Sequence, residues 1–141
     1  MKEIVVDSSA IFALALGEPE GDLFKQLLTD TQPIMSAATR VEIAHVALGR
    51  FGPAGVSAID ALLVNLGVRV EPLDEDQAAA AVAALLAFGK GRRAPPAVLN
   101  MGDSFSYALA KMRGLPLLYK GNDFAQTDIR SALDPERERA S

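Results

Sequence analysis

Short apolar runs, several of them rich in β-branched residues, alternate along the chain with longer segments whose apolar residues recur at helical spacing. The short runs predict strands at residues 3–7, 33–35, 68–72 and 115–119. The longer segments predict helices at residues 10–16, 21–29, 36–48, 57–66, 74–88 and 103–112. This alternation favours βαβ crossovers, and therefore an α/β fold with a central, mostly parallel sheet of four to five short strands flanked by helices.

One segment is long, basic and rich in helix breakers. We call residues 89–96 (GKGRRAPP) the basic loop; it carries Lys90, Arg92 and Arg93. Neither an internal repeat nor a linker divides the remaining sequence. We therefore predict a single domain over residues 1–134 and a charged C-terminal tail over residues 135–141.

Composition narrows the chemistry available to the chain. It has 141 residues, half of them hydrophobic, with no cysteine and one histidine, His45. Cys-ligated zinc, iron–sulfur clusters and thiol nucleophiles are thereby excluded, and a Ser-His triad would have only one possible base. The longest apolar run, residues 78–88, is shorter than the ~18–20 residues that cross a bilayer. We expect a soluble cytoplasmic protein without a membrane partner.

Charge is distributed unevenly along the chain. Residues 1–88 hold five Lys/Arg and twelve Asp/Glu, whereas residues 89–141 hold nine and six, and the net charge is -4. An acidic protein can still bind a polyanion through a local basic surface. The C-terminal part is therefore compatible with nucleic-acid binding, although an uneven solvated surface explains the same pattern.

Acidic residues occur where the predicted strands end. Asp7 ends the first strand, Glu42 lies in the helix after the second, Asp103 opens the helix before the fourth, and Asp123 follows the fourth. Because parallel strands present their carboxyl ends at one edge of a sheet, these acids are expected to share a cleft. Oxygen ligands of this kind select Mg²⁺ or Mn²⁺. Each acid could instead have a purely structural role, since acidic residues are also common at helix caps and in turns.

Four segments together resemble a known family. They are residues 4–10 (IVVDSSA), 35–42 (MSAATRVE), 99–111 (LNMGDSFSYALAK) and 117–124 (LLYKGNDF). The chain resembles the PIN-domain ribonucleases and, among them, the VapC-type toxins of bacterial type II toxin–antitoxin pairs. The resemblance implies a PIN-like three-layer fold and a Mg²⁺-dependent endoribonuclease, with Mn²⁺ as a possible substitute. It also implies an RNA substrate, a homodimer and a cognate antitoxin protein.

The resemblance further assigns residue roles. Asp7 and Asp103 would bind the metal ion, and Glu42 and Asp123 would support it as further catalytic acids. Asn122 is an alternative to Asp123, because the family often places its fourth acid one position earlier. The hydroxyls of Ser9 and Thr39 would support the carboxylates. In-line attack would leave a 5′-phosphate and a 3′-hydroxyl.

Basic and aromatic residues suggest where RNA would lie. Phosphates would contact Lys90, Arg92 and Arg93 of the basic loop, with Arg40 and Lys120 contributing from the rim of the cleft. Phe105 and Tyr107 follow Asp103 at helical spacing, and we expect core packing rather than base stacking from them. His45 is expected in the core or on the surface.

Two other functions remain open from the sequence. A receiver-type phosphoacceptor domain also places an acid after its first strand and a lysine after a late strand, where Lys120 stands, but it needs paired acids at position 7. A catalytically inactive, partner-binding PIN domain would keep the fold without the reaction. RNA cleavage with Mg²⁺ and phosphotransfer from a small phosphodonor separate these possibilities.

Overall fold

A computed structural model describes residues 1–89 and 98–134. Its strands are β1 (Glu3–Val6), β2 (Gln32–Ser36), β3 (Arg69–Glu71) and β4 (Leu117–Leu118). Its helices are α1 (Ser8–Ala15), α2 (Gly21–Asp30), α3 (Ala37–Asn65), α4 (Glu75–Phe88) and α5 (Met101–Arg113). The charged tail and all but the first residue of the basic loop lie outside the described residues, including Lys90, Arg92 and Arg93.

The four strands form one parallel sheet in the order β3-β2-β1-β4. The chain passes from β1 to β2 through α1 and α2, from β2 to β3 through α3, and from β3 across the sheet to β4 through α4 and α5. The strand order therefore reverses at β1. Crevices outside the carboxyl ends of strands at such a reversal are where open α/β sheets place their sites.

Helices cover both faces of the sheet, because successive side chains of a strand point to opposite sides. One core, shared with α1, α2 and α3, takes from the strands Ile4, Val6, Met35 and Leu118. The other, shared with α4 and α5, takes Val5, Ile34 and Leu117. Burial on both faces explains why β1, β2 and β4 are largely apolar, whereas the edge strand β3 is mostly exposed. The predicted three-layer α/β fold is confirmed.

Several element boundaries differ from the prediction. β4 contains only two residues instead of five, because it pairs with β1 only opposite Val5 and Val6. Helix α1 begins at Ser8 rather than at the predicted residue 10, and the Asp7 side chain caps it. Helix α5 begins at Met101, so Asp103 is its third residue and not its first.

Helix α3 contains a break that the sequence predicted. Gly52 has φ 74° and ψ -170°, which glycine adopts without the steric cost of a Cβ atom, and Pro53 follows it. The ion pair between Arg40 and Asp60 joins the two halves. By length and hydropathy α3 is long and apolar enough to span a membrane. The break divides it into two segments that are each shorter than the ~20 residues needed.

Candidate active site

Asp7 lies at the carboxyl end of β1, where its buried side chain caps α1. The Ser9 hydroxyl donates to Oδ2 of Asp7 at 2.7 Å, and the Ser9 backbone N–H donates to the same atom at 3.1 Å. The Ser106 hydroxyl, from α5, donates to Oδ1 at 2.5 Å. Thr39 extends this network, since its Oγ1 lies 3.5 Å from Oγ of Ser106. Hydroxyls therefore hold both oxygens of Asp7 in a fixed orientation.

These hydrogen bonds only partly offset the burial of Asp7. Burial raises the pKa of the Asp7 carboxyl above its usual value of 3.8, while the hydrogen bonds from Ser106 and Ser9 favour the ionised form and lower it. The hydrogen bonds therefore stabilise the negative charge of Asp7 less than burial destabilises it.

Asp103 occupies the third position of α5. Its backbone N–H donates to Oδ1 of Asn100 at 2.8 Å, and its own Oδ2 accepts from the Asn100 N–H at 3.0 Å. This reciprocal arrangement is a capping box, and it fixes the carboxylate at the helix N-terminus. Burial, followed by the negative charges of Asp7 and Asp123, raises the pKa of Asp103 to about 7, against the opposing hydrogen bond from Asn100.

Glu42 reaches the same region from the second turn of α3. The helix is capped by Ser36, whose Oγ accepts from the Ala38 N–H, so Glu42 does not serve as part of the cap. Burial, and then the charge of Asp7, raises the pKa of Glu42, while a hydrogen bond with Ser8 lowers it. Oε1 of Glu42 is buried and has no hydrogen-bond partner among the described residues.

The fourth predicted acid is exposed. Asp123 and Asn122 both lie on the surface of the loop after β4. The Asp123 side chain hydrogen-bonds Asp103, and this contact favours the protonated form of Asp103 and raises its pKa. Asp123 is thus connected to the buried acids, whereas no hydrogen bond among the described residues joins the Asn122 side chain to them.

The charges of the four acids are not balanced by a cationic side chain in the described part of the chain. Within residues 1–89 and 98–134, no lysine or arginine forms an ion pair with any of them. A divalent cation fits this donor set, because all the donors are oxygens and one buried oxygen of Glu42 is unpartnered. No three acidic or histidine side chains in the described part of the chain are already gathered at metal-binding spacing. Binding would therefore have to draw the carboxylates together.

The predicted RNA-contacting cations in the described residues are engaged elsewhere. Arg40 pairs with Asp60 across the break in α3. Lys120 pairs with Glu18 and, at 2.9 Å, with Oε1 of Glu20. The backbone N–H of Lys120 also donates to the Ser9 hydroxyl at 3.0 Å, which links the loop after β4 to the hydroxyl that holds Asp7.

The remaining candidates differ in burial. His45 is exposed, and Tyr107 is buried against Phe88, with its hydroxyl donating to Oδ1 of Asp128 at 2.5 Å. Core packing, as expected, leaves the Tyr107 ring unavailable for base stacking. Phe105 is half-buried.

Sequence reasoning missed Ser106. This serine is buried and directly contacts Asp7, although the two residues are far apart in the chain. It lies three positions after Asp103 on α5, and residues three apart share a helix face. That spacing is the signal in the sequence that could have identified it.

Comparison with known proteins places the chain in a family. A family model for the PIN domain matches residues 4–130. VapC ribonuclease Mb2780c of Mycobacterium bovis is 42% identical over 130 residues, covering 92% of this chain and 98% of that protein.

Solved structures agree in fold. VapC20 of Mycobacterium tuberculosis, described as a sarcin–ricin loop cleaving toxin, has a TM-score of 0.70 at 22% identity, covering 89% of this chain and 95% of that one. A toxin–antitoxin complex from Klebsiella pneumoniae has a TM-score of 0.65 at 21% identity, with coverages of 89% and 92%. The family match and the sequence identity agree with this likeness in fold, and the chain therefore belongs to the PIN-domain family, in its branch of VapC ribonucleases.

Proposed function

We propose that the chain is a Mg²⁺-dependent endoribonuclease that hydrolyses RNA phosphodiesters and acts as the toxin of a toxin–antitoxin pair, with Mn²⁺ able to substitute. The observation that carries this proposal is the uncompensated acidic site. Asp7, Glu42 and Asp103 each have a raised pKa, and the charge of Asp7 contributes to the shift of the other two. Carboxylates arranged in this way need a cation to be ionised together.

Asp7 and Asp103 would hold the ion, and Glu42 and Asp123 would support it. A bound Mg²⁺ would supply a water of lowered pKa and would neutralise charge that develops on the phosphoryl oxygens. The chemistry fits a chain with a single, exposed histidine, because it does not need an imidazole base. We infer that the products carry a 5′-phosphate and a 3′-hydroxyl.

The protein's own residues would orient the reacting groups. Ser9 and Ser106 restrict rotation of the Asp7 carboxylate by donating to both of its oxygens. Asn100 restricts the Asp103 carboxylate by donating its backbone N–H to Oδ2. The unpartnered Oε1 of Glu42 is free to accept a hydrogen bond from a water molecule and to hold its proton. Removing the carboxylate of Glu42 should therefore lower turnover more than RNA binding.

RNA phosphates would be held mainly by the basic loop. The basic loop follows α4 and ends three residues before Leu99. The residues that flank it lie side by side, because the Leu99 N–H donates to the Phe88 carbonyl at 2.9 Å. The loop therefore connects to the described structure beside the N-terminus of α5, where Asp103 lies. Arg40 and Lys120 would have to leave acidic partners before they could contact phosphate, so we assign them a lesser role.

An antitoxin protein is the proposed regulatory partner. The support is the relationship to VapC ribonucleases and the likeness to a structure described as a toxin–antitoxin complex. We further propose a homodimer and a cytoplasmic location. The receiver-type alternative is wrong, because the chain belongs to the PIN-domain family.

Cleavage and metal binding together test this function. Purified protein should cleave single-stranded RNA with Mg²⁺ and lose that activity with a chelator. By calorimetry, Asp7→Ala and Asp103→Ala should each weaken Mg²⁺ or Mn²⁺ binding by tenfold or more, roughly 1.4 kcal/mol. Asp30→Asn, which removes one charge from an exposed position, is the control. Unchanged affinity in both alanine variants would refute the metal site, and metal binding without cleavage would favour the inactive, partner-binding domain.

A further inference from the structure

Gly102, the second residue of α5, is buried, and its backbone does not explain why it is a glycine. It is absent from the glycines with positive φ, which are Gly17, Gly52, Gly67, Gly114 and Gly121. A glycine within a helix costs about 0.5–1 kcal/mol relative to alanine. Its presence at this position therefore requires another reason.

That reason is the position of the Glu42 carboxylate. A Cβ atom on Gly102 would overlap Oε2 and Cδ of Glu42 and would lie 2.9 Å from Oε1. The carboxylate of α3 thus occupies the space that any other side chain at position 102 would fill. By contrast, a Cβ on Gly49, a helical glycine in α3, would meet nothing within 4 Å.

This contact brings Glu42 to the acidic site. Gly102 immediately precedes Asp103, so a carboxylate packed against Gly102 lies next to the N-terminal turn that carries Asp103. There Glu42 is close enough to Asp7 for the charge of Asp7 to raise its pKa. A side chain at position 102 would push the flexible end of Glu42 out of this place, because the helix backbone has less freedom to shift.

We propose that Gly102 is a positioning residue whose missing side chain admits the Glu42 carboxylate to the active site. The inference rests on the proposed ribonuclease function for its catalytic consequence, whereas its structural part stands on the packing of the two residues. It predicts that the effect of a side chain at position 102 depends on whether residue 42 carries a carboxylate.

A double-mutant cycle tests this dependence. The variants are Gly102→Ala, Glu42→Ala and the two together, with Gly49→Ala as the matched control. Circular dichroism, thermal unfolding in chelator and RNA cleavage with Mg²⁺ are measured for each. Gly49→Ala should keep wild-type kcat and KM, because its added methyl group contacts nothing.

Gly102→Ala should lower kcat for RNA cleavage at least tenfold, to about the level of Glu42→Ala, with little change in KM. The double variant should be no less active than Glu42→Ala, because the carboxylate that the new methyl group would displace is already gone. It should also unfold at a higher temperature than Glu42→Ala, since alanine then contributes its helix propensity without a clash.

The melting temperatures keep the proposal testable if the wild-type protein cleaves no RNA. In that case the proposed ribonuclease function is refuted. Gly102→Ala should nevertheless raise the melting temperature of the Glu42→Ala protein more than it raises that of the wild-type protein. Equal shifts in both backgrounds would overturn the positioning role, as would wild-type cleavage by Gly102→Ala. If Gly102→Ala alone fails to fold, the proposal requires the double variant to fold, because the clashing carboxylate is then absent. If neither variant folds, Gly102 is required for folding itself and not for the placement of Glu42.

Discussion

Asp103→Asn should make the metal-free protein more stable above pH 7, although it alters a predicted catalytic residue. In the folded protein the pKa of Asp103 is raised from 3.8 to about 7, so the folded state binds this proton more tightly than the unfolded chain does. The stability that Asp103 contributes is therefore complete below about pH 4, declines as the pH rises toward 7, and is absent above pH 7.

The difference in pKa sets the size of the effect. It corresponds to an upper value of roughly 4 kcal/mol for ionising Asp103 in the folded state. Structural relaxation and water penetration reduce such costs, so we expect a gain of about 1–3 kcal/mol at pH 8. The asparagine side chain can still accept from the Asn100 N–H and can donate to Asp123, so the helix cap survives.

Urea unfolding in chelator at pH 5, 6, 7 and 8 measures this gain. Wild-type stability should fall over this range, and Asp103→Asn should flatten the decline, with the two proteins differing least at pH 5. Asp30→Asn removes the same charge from an exposed site and should follow the wild-type curve. If Asp103→Asn is less stable than wild type at pH 8, the acids do not repel one another as described.

Three further outcomes follow from the structure. Ser106→Ala should cost about 1–3 kcal/mol in urea unfolding, because it leaves a buried oxygen of Asp7 without its donor; an unchanged midpoint would contradict the bond. Tyr107→Phe should lower stability by about 1 kcal/mol through loss of the bond to Asp128, while leaving RNA cleavage rates unchanged. Replacing the three cations of the basic loop with alanine should reduce the salt dependence of single-stranded RNA binding by about 0.7 in slope per lost contact. Saturating RNA should then restore cleavage, and a wild-type slope would show that RNA binds elsewhere.

The sequence predicted the fold class and the location of the acids because both follow from local pattern and topology. Apolar strands alternating with helices require a covered parallel sheet, and acids at strand ends then meet at one edge. The length of β4 was less predictable. Residues 115–119 form an apolar run, but only Leu117 and Leu118 pair with β1, and Pro116 has no N–H to donate. Strand propensity is a property of the segment itself, whereas the length of a strand within a sheet also depends on the neighbouring strand.

Contacts between distant residues were not predictable in the same way. The hydrogen bond from Ser106 to Asp7 and the packing of Glu42 on Gly102 depend on how α3 and α5 approach each other in three dimensions. Likewise, the partners of Lys120 are two glutamates near the turn between α1 and α2, which no spacing rule connects to the loop after β4. The positive charge of this lysine is evident from the sequence, but the residues with which it forms ion pairs are not.

The strand order has a consequence for synthesis of the chain. Among the described strands, β4 leaves the ribosome after the other three, yet it pairs with β1, the first of them to be made. Until β4 arrives, β1 is an open edge, and the Asp7 N–H lacks the Leu118 carbonyl that accepts its hydrogen bond at 2.9 Å. Asp103 and Asp123 likewise come from the final third of the chain. The proposed active site therefore cannot assemble until β4 and Asp123 have been synthesised, and a nascent chain that ends before them should not cleave RNA.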